Sequence, residues 1–254
     1  VGEASGERAA RLFEVLGAPI VQTTPVQAEL AKIWTNIYRY ATFALPNLLM
    51  MDCDRYGANV FEVIDLINRE YPRGGIARPG MTAGSCLRKD FAFSEERSNS
   101  PGMLLAVSRV HESVPLFLVE GIKRRIGNLA SRKIAVLGLT FKRDTDDERD
   151  SLSPKLIRLL ERELADVAVC DPHAHSPTQP LEQAVQDADA VIVATNHSEF
   201  DGPGVRMEIV SRAAADCLLV DPWNALGTGQ VFLFAAESGA LVGEATAGGT
   251  PHQA

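Results

Sequence analysis

Residues 133–139 read KIAVLGL, an apolar run that ends at a glycine and is followed by a predicted amphipathic helix over residues 152–164. Such a short, unbroken apolar run is typical of a strand buried on both faces of a parallel sheet. Further apolar runs recur along the second half of the chain, and they are ADVAVCDP (165–172), DADAVIVAT (187–195) and CLLVDPW (217–223). A helical pattern, RMEIVSRAA (206–214), separates the last two. This alternation predicts a parallel sheet covered by helices.

The first half of the chain shows helical periods instead. Between Ala28 and about Asp54 apolar residues recur every three or four positions, which predicts a long amphipathic helix with a kink at Pro46. Further helices are predicted over residues 60–70, 87–97 and 103–126. Residues 71–86 (YPRGGIARPGMTAGSC) are rich in glycine and proline, so we predict a loop of the kind that is usually functional or disordered.

The pattern of the N-terminal residues is typical of the last helix and strand of a preceding domain. Residues 6–17 predict a helix and residues 18–25 (APIVQTTP) a short strand. The chain begins at Val1 within the helical pattern, so we expect a further segment to precede it. Together these patterns predict an α/β protein, with a helical domain followed by a Rossmann-like parallel-sheet domain.

Composition narrows the class of protein. The chain has 254 residues, 25 Lys plus Arg against 33 Asp plus Glu, and a hydrophobic fraction of 46%. A net charge of -8 without a basic stripe argues against nucleic-acid and membrane surfaces. The chain shows neither a signal peptide nor an apolar run of about 18 residues, so we predict a cytoplasmic protein. His173 and His175 alternate in a loop without further ligands, so no metal site is predicted.

The turn after the first predicted strand carries the densest charge. GLTFKRDTDDERDS (138–151) places Lys142, Arg143 and Arg149 between a strand and a helix start, where anions bind favourably. A phosphate or nucleotide is one candidate ligand, and a solvated turn with local ion pairs is the alternative. No GxGxxG occurs in the chain, so this turn does not predict an ordinary dinucleotide site.

Cys86 is the candidate nucleophile. It lies between the glycine-rich loop and a predicted helix, where helix N-terminal amides and nearby basic residues favour a thiolate. The alternative is a small apolar filler. Asp90 follows four residues later and could orient a proton or a water molecule. Glu29, Lys32 and Asn36 share one face of the long helix, which by itself is also typical of a solvated stripe.

Three ordered motifs, AELAKIWTN (28–36), PGMTAGSCLRKD (79–90) and VLGLTFKRDTDDERDS (136–151), together resemble the UDP-glucose/GDP-mannose dehydrogenase family. The resemblance extends over about residues 8–235. It implies a remnant of the N-terminal NAD-binding domain (1–25), a helical central and dimerisation domain (26–128), a C-terminal nucleotide-sugar-binding α/β domain (129–242) and a flexible tail (243–254).

The resemblance also implies roles for individual residues. The family oxidises the primary alcohol of a UDP- or GDP-sugar to a carboxylate with NAD, through a thiohemiacetal and a thioester on a cysteine that matches Cys86. Lys32 and Asn36 match residues that stabilise the oxyanion and position oxygen or water, and Asp90 matches an acid that assists thioester hydrolysis. Arg149 matches a cofactor contact. The implied substrate contacts are Glu29, Lys32, Asn36, Arg73, Gly80, Phe141 and Lys142, with residues 77–83 along the sugar nucleotide and Arg73 reaching across a homodimer.

Two other functions stay open from the sequence. The first is a truncated chain that dimerises through the long helix and binds a nucleotide sugar without redox chemistry, because hydride transfer needs a cofactor domain. The second is a cysteine acyl-transfer enzyme that pairs Cys86 with His111 or His197.

Overall fold

A computed structural model describes residues 2–70 and 74–238. Arg73 and the predicted tail over residues 243–254 lie outside the described residues. The helices are α1 (Glu3–Phe13), α2 (Pro25–Tyr56), α3 (Val60–Asn68), α4 (Ser85–Glu96), α5 (Met103–Ile126), α6 (Ser153–Arg162), α7 (Leu181–Val185), α8 (Pro203–Arg212) and α9 (Ala235–Ser238). The strands are β1 (Lys133–Leu137), β2 (Asp166–Cys170), β3 (Ala190–Val193), β4 (Leu218–Val220) and β5 (Phe232–Phe234).

Helices α2 to α5 form what we call the helical region. Helix α2 has 32 residues and is therefore about 48 Å long. A capping box between Thr24 and Gln27 starts it, and Gly57 ends it with a left-handed φ of +69°. It packs against α4 and α5. The long helix predicted from Ala28 to Asp54 is confirmed, and Pro46 lies inside it.

The strand predicted over residues 18–25 is wrong. Residues 18–24 lie between α1 and α2 without regular structure, and α2 already includes residue 25. The apolar side chains Ile20 and Val21, which suggested a strand, are exposed. In the described part of the chain no strand lies beside this stretch to complete a hydrogen-bonded ladder, and a strand cannot satisfy its backbone alone.

Elements from β1 to α9 form the α/β region, built on a sheet with the order β2-β1-β3-β4-β5. Strands β2, β1, β3 and β4 are parallel, and β1 pairs with both β2 and β3. Strand β5 is antiparallel to β4. The predicted parallel sheet is confirmed. Strand β5 was not predicted, because its three residues are too few to show a period.

The two regions share one core. On one face of the sheet, Ile134 and Ile192 belong to the same buried cluster as Val114 and Leu118 of α5. The other face packs under α7 and α8, with Val191 in its cluster. Since α5 covers the sheet directly, the helical region is held against the α/β region. None of the helices described, including α2 and α5, has an apolar stretch that could span a membrane.

Candidate functional site

Asp171, directly after β2, organises the strand ends. One carboxylate oxygen accepts hydrogen bonds from the backbone N–H groups of Leu139 and Thr140, and the other accepts from the N–H of His173. Burial acts to raise the pKa of Asp171, but these bonds and the His197 ring outweigh it and lower the pKa. The amides after β1, which contact phosphates in dinucleotide folds, are thus already bound by a carboxylate.

Two of the three basic residues in the loop after β1, Arg143 and Arg149, form ion pairs. Arg149 makes a bidentate pair with Asp147, at 2.9 and 2.7 Å, while its side chain remains 79% exposed. The hydrogen bonds from Arg149 lower the pKa of Asp147 to about 2. Arg143 pairs with Asp201 at 3.0 Å, and Lys142 is exposed. The loop therefore combines the local ion pairs of one sequence interpretation with an exposed lysine that an anion can reach.

Phe141 joins this loop to the residues before Cys86. A Cβ atom added at Gly84 would lie 2.9 Å from the Phe141 ring, so the two residues are in close contact. Gly84 has a φ of +120° and forms the N-cap of α4. The ring of an α/β-region residue therefore packs directly against the start of the helix that carries Cys86.

Cys86 is the accessible thiol of the chain. All four cysteines are free; Cys53, Cys170 and Cys217 are buried, and Cys86 is exposed in the first turn of α4. Burial raises the pKa of Cys170 and Cys217 to about 12, which makes them inert at neutral pH. Position and exposure thus distinguish Cys86 from the other thiols.

Asp90 lies one turn after Cys86 with its side chain almost fully buried. Its Oδ2 atom accepts hydrogen bonds from Lys32 Nζ at 2.5 Å and from Asn36 Nδ2 at 2.6 Å. Burial acts to raise the pKa of Asp90, but these two bonds outweigh it and hold the pKa below the ordinary value. The structure brings these predicted residues together, whereas Glu29, one turn earlier on α2, is exposed.

Ion pairs across the two regions flank Cys86. Arg88 of α4 pairs with Asp150 at 3.0 Å and also approaches Glu112 of α5 at 3.5 Å. Glu112 in turn pairs with Lys155 of α6 at 2.8 Å. Arg88 was among the basic residues near Cys86 in the sequence, whereas Glu112, Asp150 and Lys155 were not singled out, because nothing in their local pattern shows that such distant segments meet.

Gly80 is held from both sides. Asn47 of α2 accepts a hydrogen bond from the Gly80 N–H at 2.8 Å and donates one to its carbonyl at 2.9 Å. From the α/β region the Trp223 ring lies so close that a Cβ atom at Gly80 would be 2.3 Å from it. The resemblance marked Gly80, whereas Asn47 and Trp223 were missed because their partner is far away in sequence.

One group of described residues has metal-binding chemistry. Side-chain donors of Asp144, His173, His197 and Glu199 lie within 4.8 Å of one another. Both ring nitrogens of the buried His197 are in use, however, since Nδ1 accepts from the Asp144 backbone N–H at 2.9 Å and Nε2 faces Asp171 at 3.1 Å. We therefore assign this group to hydrogen bonding between the loops that follow the strands.

Sequence models of known domains match both regions. The model of the central domain of the UDP-glucose/GDP-mannose dehydrogenase family matches residues 26–114, and the model of that family's UDP binding domain matches residues 135–228. The chain belongs to the UDP-glucose/GDP-mannose dehydrogenase family. The resemblance carried by the three motifs is thereby confirmed.

Individual members of the family are similar over most of this chain. A UDP-N-acetyl-D-mannosamine dehydrogenase of Pyrococcus horikoshii is 31% identical over 229 residues, which are 86% of this chain and 54% of the relative. The structure of the UDP-N-acetyl-mannosamine dehydrogenase from Staphylococcus aureus gives a TM-score of 0.75 at 28% identity, over 89% of this chain and 54% of the other. A UDP-glucose dehydrogenase from Pyrobaculum islandicum gives 0.69 at 27% identity, over 85% and 53%. The chain spans about half the length of these family members.

Proposed function

We propose that this chain is the central and UDP-binding part of an NAD-dependent dehydrogenase that oxidises the primary alcohol of a nucleotide sugar to a carboxylate. One observation carries the proposal. The exposed Cys86 lies in the first turn of α4, and the next turn holds Asp90 with its partners Lys32 and Asn36. Phe141 of the α/β region packs against Gly84 at the start of the same helix. An exposed thiol, a buried charge cluster and the region that matches a UDP binding domain thus lie next to one another, which supports this function.

The relatives support a UDP-sugar as the substrate. The α/β region matches a UDP binding domain, and several similar proteins are named UDP-N-acetyl-D-mannosamine dehydrogenase. We therefore propose a UDP-linked N-acetylhexosamine as the substrate class. Lys142, exposed after β1, would contact the diphosphate, and Phe141 and Gly80 would border the sugar nucleotide.

The chemistry assigned to Cys86 is a covalent relay. Oxidation of the alcohol removes a hydride and a proton and leaves an aldehyde, to whose carbon the Cys86 thiolate adds to give a thiohemiacetal. Loss of a second hydride together with the hydroxyl proton gives a thioester, and attack of water on the thioester carbon releases the carboxylate and frees the thiol. Lys32 provides positive charge for the oxyanions, and Asn36 provides a hydrogen-bond donor. Asp90 holds both side chains in place and, as a carboxylate, can accept a proton from the attacking water.

NAD, when bound, would supply the hydride acceptor. The α/β region does not fit it, because the chain has no GxGxxG and Asp171 takes the amides after β1. We propose that a further domain binds NAD and that Arg149, exposed on the loop after β1, contributes a contact to it. In this proposal residues 1–25 belong to that domain, residues 26–128 to the central domain and residues 129–242 to the UDP-binding domain.

We further propose a homodimer built on α2. Trp34 and Tyr38 are more than half exposed although both are large and apolar in body. They border a groove of about 940 Å³ between α2, α4 and α5 that also includes Phe93. A contiguous exposed apolar surface of this kind is typical of an interface.

The geometry disfavours a cysteine acyl-transfer enzyme. The His111 ring faces the Tyr40 carbonyl and Asn47, and both nitrogens of His197 are occupied as described above. Neither ring is available as a base for Cys86. A chain that only binds a nucleotide sugar remains the second candidate, because the α/β region matches a UDP binding domain while the chain spans half the length of its relatives.

Calorimetric titration with UDP, UDP-N-acetylmannosamine and GDP-mannose tests the binding step. We expect the two uridine ligands to bind, and Lys142→Ala to weaken binding about tenfold through loss of a charged hydrogen bond. Lys133→Ala is the matched control, since Lys133 lies at the start of β1, at the opposite end of that strand from the loop with Lys142. Absence of binding by any nucleotide would overturn the proposal.

The redox step needs a version of the protein that includes the NAD-binding domain. At saturating NAD and UDP-sugar, the wild type should form two NADH and one carboxylate for each sugar oxidised, whereas Cys86→Ser should form no carboxylate. Carboxylate formed by Cys86→Ser would overturn the cysteine mechanism. If the extended wild type forms no NADH but still binds the UDP-sugar, the second candidate, a chain that only binds a nucleotide sugar, would be favoured.

A further inference from the structure

The segment over residues 74–84, which leads to Cys86, has no helix or strand but is bound by two asparagine side chains in the same way. Asn68, at the end of α3, accepts from the Ile76 N–H at 2.8 Å and donates to its carbonyl at 2.9 Å. Asn47 makes the same pair of bonds with Gly80. An amide side chain that bonds both backbone groups of one residue replaces a neighbouring strand. The segment is therefore held at two points, four residues apart.

Only one orientation of the buried Asn47 amide satisfies the hydrogen-bonding groups around it. Its Nδ2 also faces His111 Nδ1 at 3.4 Å, and His111 Nε2 lies 2.8 Å from the Tyr40 carbonyl. A carbonyl can only accept, so Nε2 carries the proton and Nδ1 accepts from Asn47. Rotating the amide by half a turn would place its NH₂ group against the Gly80 N–H. Helix α5 thus fixes the amide that holds Gly80.

Trp223 restrains Gly80 from the α/β region. Its ring covers the position where a Gly80 side chain would be, and its Nε1–H donates to the Ala194 carbonyl at the end of β3 at 3.1 Å. The Trp223 backbone N–H donates to the carboxylate of Asp221, which is fully buried after β4. Gly80 is therefore fixed between the two regions, six residues before Cys86.

We propose that Asn47 and Trp223 are positioning residues, which hold the 74–84 segment against both regions and thereby set the place of Cys86 relative to the nucleotide-binding face. The inference rests on the proposed function for its role in catalysis. Removal of either contact releases Gly80, and since Gly84 is the N-cap of α4, the turn that carries Cys86 loosens with it. Asn68 binds the segment at Ile76, ten residues before Cys86, so removal of the Asn68 side chain should disturb Cys86 less.

A fluorine label on Cys86 tests the inference without any nucleotide. Bromotrifluoroacetone alkylates the exposed Cys86, while the three buried thiols stay protected. We expect one sharp ¹⁹F resonance for the wild type, and a second or broadened resonance for Asn47→Ala and Trp223→Ala. Asn68→Ala is the matched control and should keep one resonance. Trp223→Phe retains a ring over Gly80 and should restore most of the wild-type signal.

Hydrogen exchange supplies the second readout. The Gly80 amide should exchange about tenfold faster in Asn47→Ala, because its hydrogen-bond acceptor is lost. Asn47→Ser, whose hydroxyl can bond a carbonyl one turn back in α2 but is too short to bridge Gly80, covers the case in which the alanine variant does not fold and should show the same faster exchange. Exchange in β1 and β3 should stay unchanged if the effect is local.

Folded Asn47 and Trp223 variants with a wild-type ¹⁹F signal and wild-type exchange at Gly80 would overturn the inference. Equal loosening in Asn68→Ala would overturn it as well, because the effect would then not be specific to the Gly80 contacts. Both readouts are taken without ligand, so a chain that binds no UDP-sugar can still show the restraint. Normal UDP-sugar binding with an unaltered label signal would refute the restraint and leave the proposed function intact.

Discussion

The cluster around Asp90 allows a sharp test of the site's electrostatics. Lys32→Met removes the ammonium group that lies 2.5 Å from the Asp90 carboxylate and keeps an unbranched side chain of similar length. Asp90 then remains a buried charge that retains the Asn36 hydrogen bond and the more distant Lys89 ammonium, 3.8 Å from its other oxygen, but has lost its closest ionic partner. We expect the variant to fold with reduced stability at neutral pH.

The magnitude follows from the burial of the two partners. Breaking a fully buried ion pair by removing one partner costs about 3–5 kcal/mol. Here the Lys32 side chain is 55% exposed, so solvent screens part of the interaction, and Asn36 still donates to Asp90. We therefore expect the free energy of unfolding to fall by about 1–2 kcal/mol at pH 7.

The sign of the pH dependence of stability distinguishes the loss of an ion pair from the loss of packing. In the wild type the lowered pKa of Asp90 contributes stability that is present above the unfolded-state pKa and is lost as the pH falls through the folded-state value. Without Lys32, burial is opposed only by Asn36 and Lys89, so the pKa of Asp90 should rise relative to the wild type and protonation should relieve more of the penalty. The difference between wild type and Lys32→Met should therefore shrink from pH 7 towards pH 4.

Urea unfolding at pH 7 and pH 4 measures the effect. Lys89→Met is the matched control, because Lys89 is about as exposed as Lys32 but lies 3.8 Å rather than 2.5 Å from the same carboxylate. Asp90→Asn combined with Lys32→Met should recover part of the loss by removing the buried charge. A stability difference that is independent of pH, together with a double variant as unstable as the sum of both single variants, would refute the reasoning.

Three other changes probe separate parts of the molecule. Gly80→Ala forces a Cβ atom against the Trp223 ring and should destabilise the chain by about 1–3 kcal/mol. Gly204→Ala adds a Cβ atom in open space in α8 and should stabilise the chain by about 0.5–1 kcal/mol, and thermal unfolding of both variants tests this contrast. Burial raises the pKa of Asp221 to about 6, so the folded chain retains a proton that the unfolded chain releases between about pH 4 and 6. The contribution of Asp221 to stability should fall by about 3 kcal/mol as the pH rises through that window, which urea unfolding of wild type and Asp221→Asn at pH 4.5 and pH 7 measures. A disulfide reagent should titrate one thiol in the native chain, four in denaturant and none in native Cys86→Ser; a second reactive native thiol would contradict the burial of the others.

The sequence predicted those parts of the fold that repeat a local period. Helix α2 shows its apolar period over many turns, and β1 is an unbroken apolar run, so both were predicted with nearly correct bounds. The stretch over residues 18–25 has the composition of a strand, but a strand needs a partner, and a local pattern does not contain that information. Strand β5 was missed for the opposite reason, since its pairing with β4 outweighs its short length.

The candidate site was predictable only where motifs were present. The motifs marked Cys86, Lys32, Asn36 and Asp90, and the structure brings the last three into one hydrogen-bonded group beside the first. Trp223 could not be found from the sequence, because it meets Gly80 from a turn more than 140 residues away. Residues that hold a site from a distance carry no local signature of their own, and physical contact is the only evidence for them.

Helix α5 connects the helical region to the α/β region at several points. Its inner residues Val114 and Leu118 pack on the sheet, which fixes the helix relative to the α/β region. On the same helix, His111 orients the asparagine that holds Gly80, and Glu112 pairs with Lys155 and approaches Arg88 of α4. A shift of α5 would therefore disturb the sheet contact, the 74–84 segment and the start of α4 together. The placement of Cys86 is thus coupled to the packing of the α/β region through a single helix.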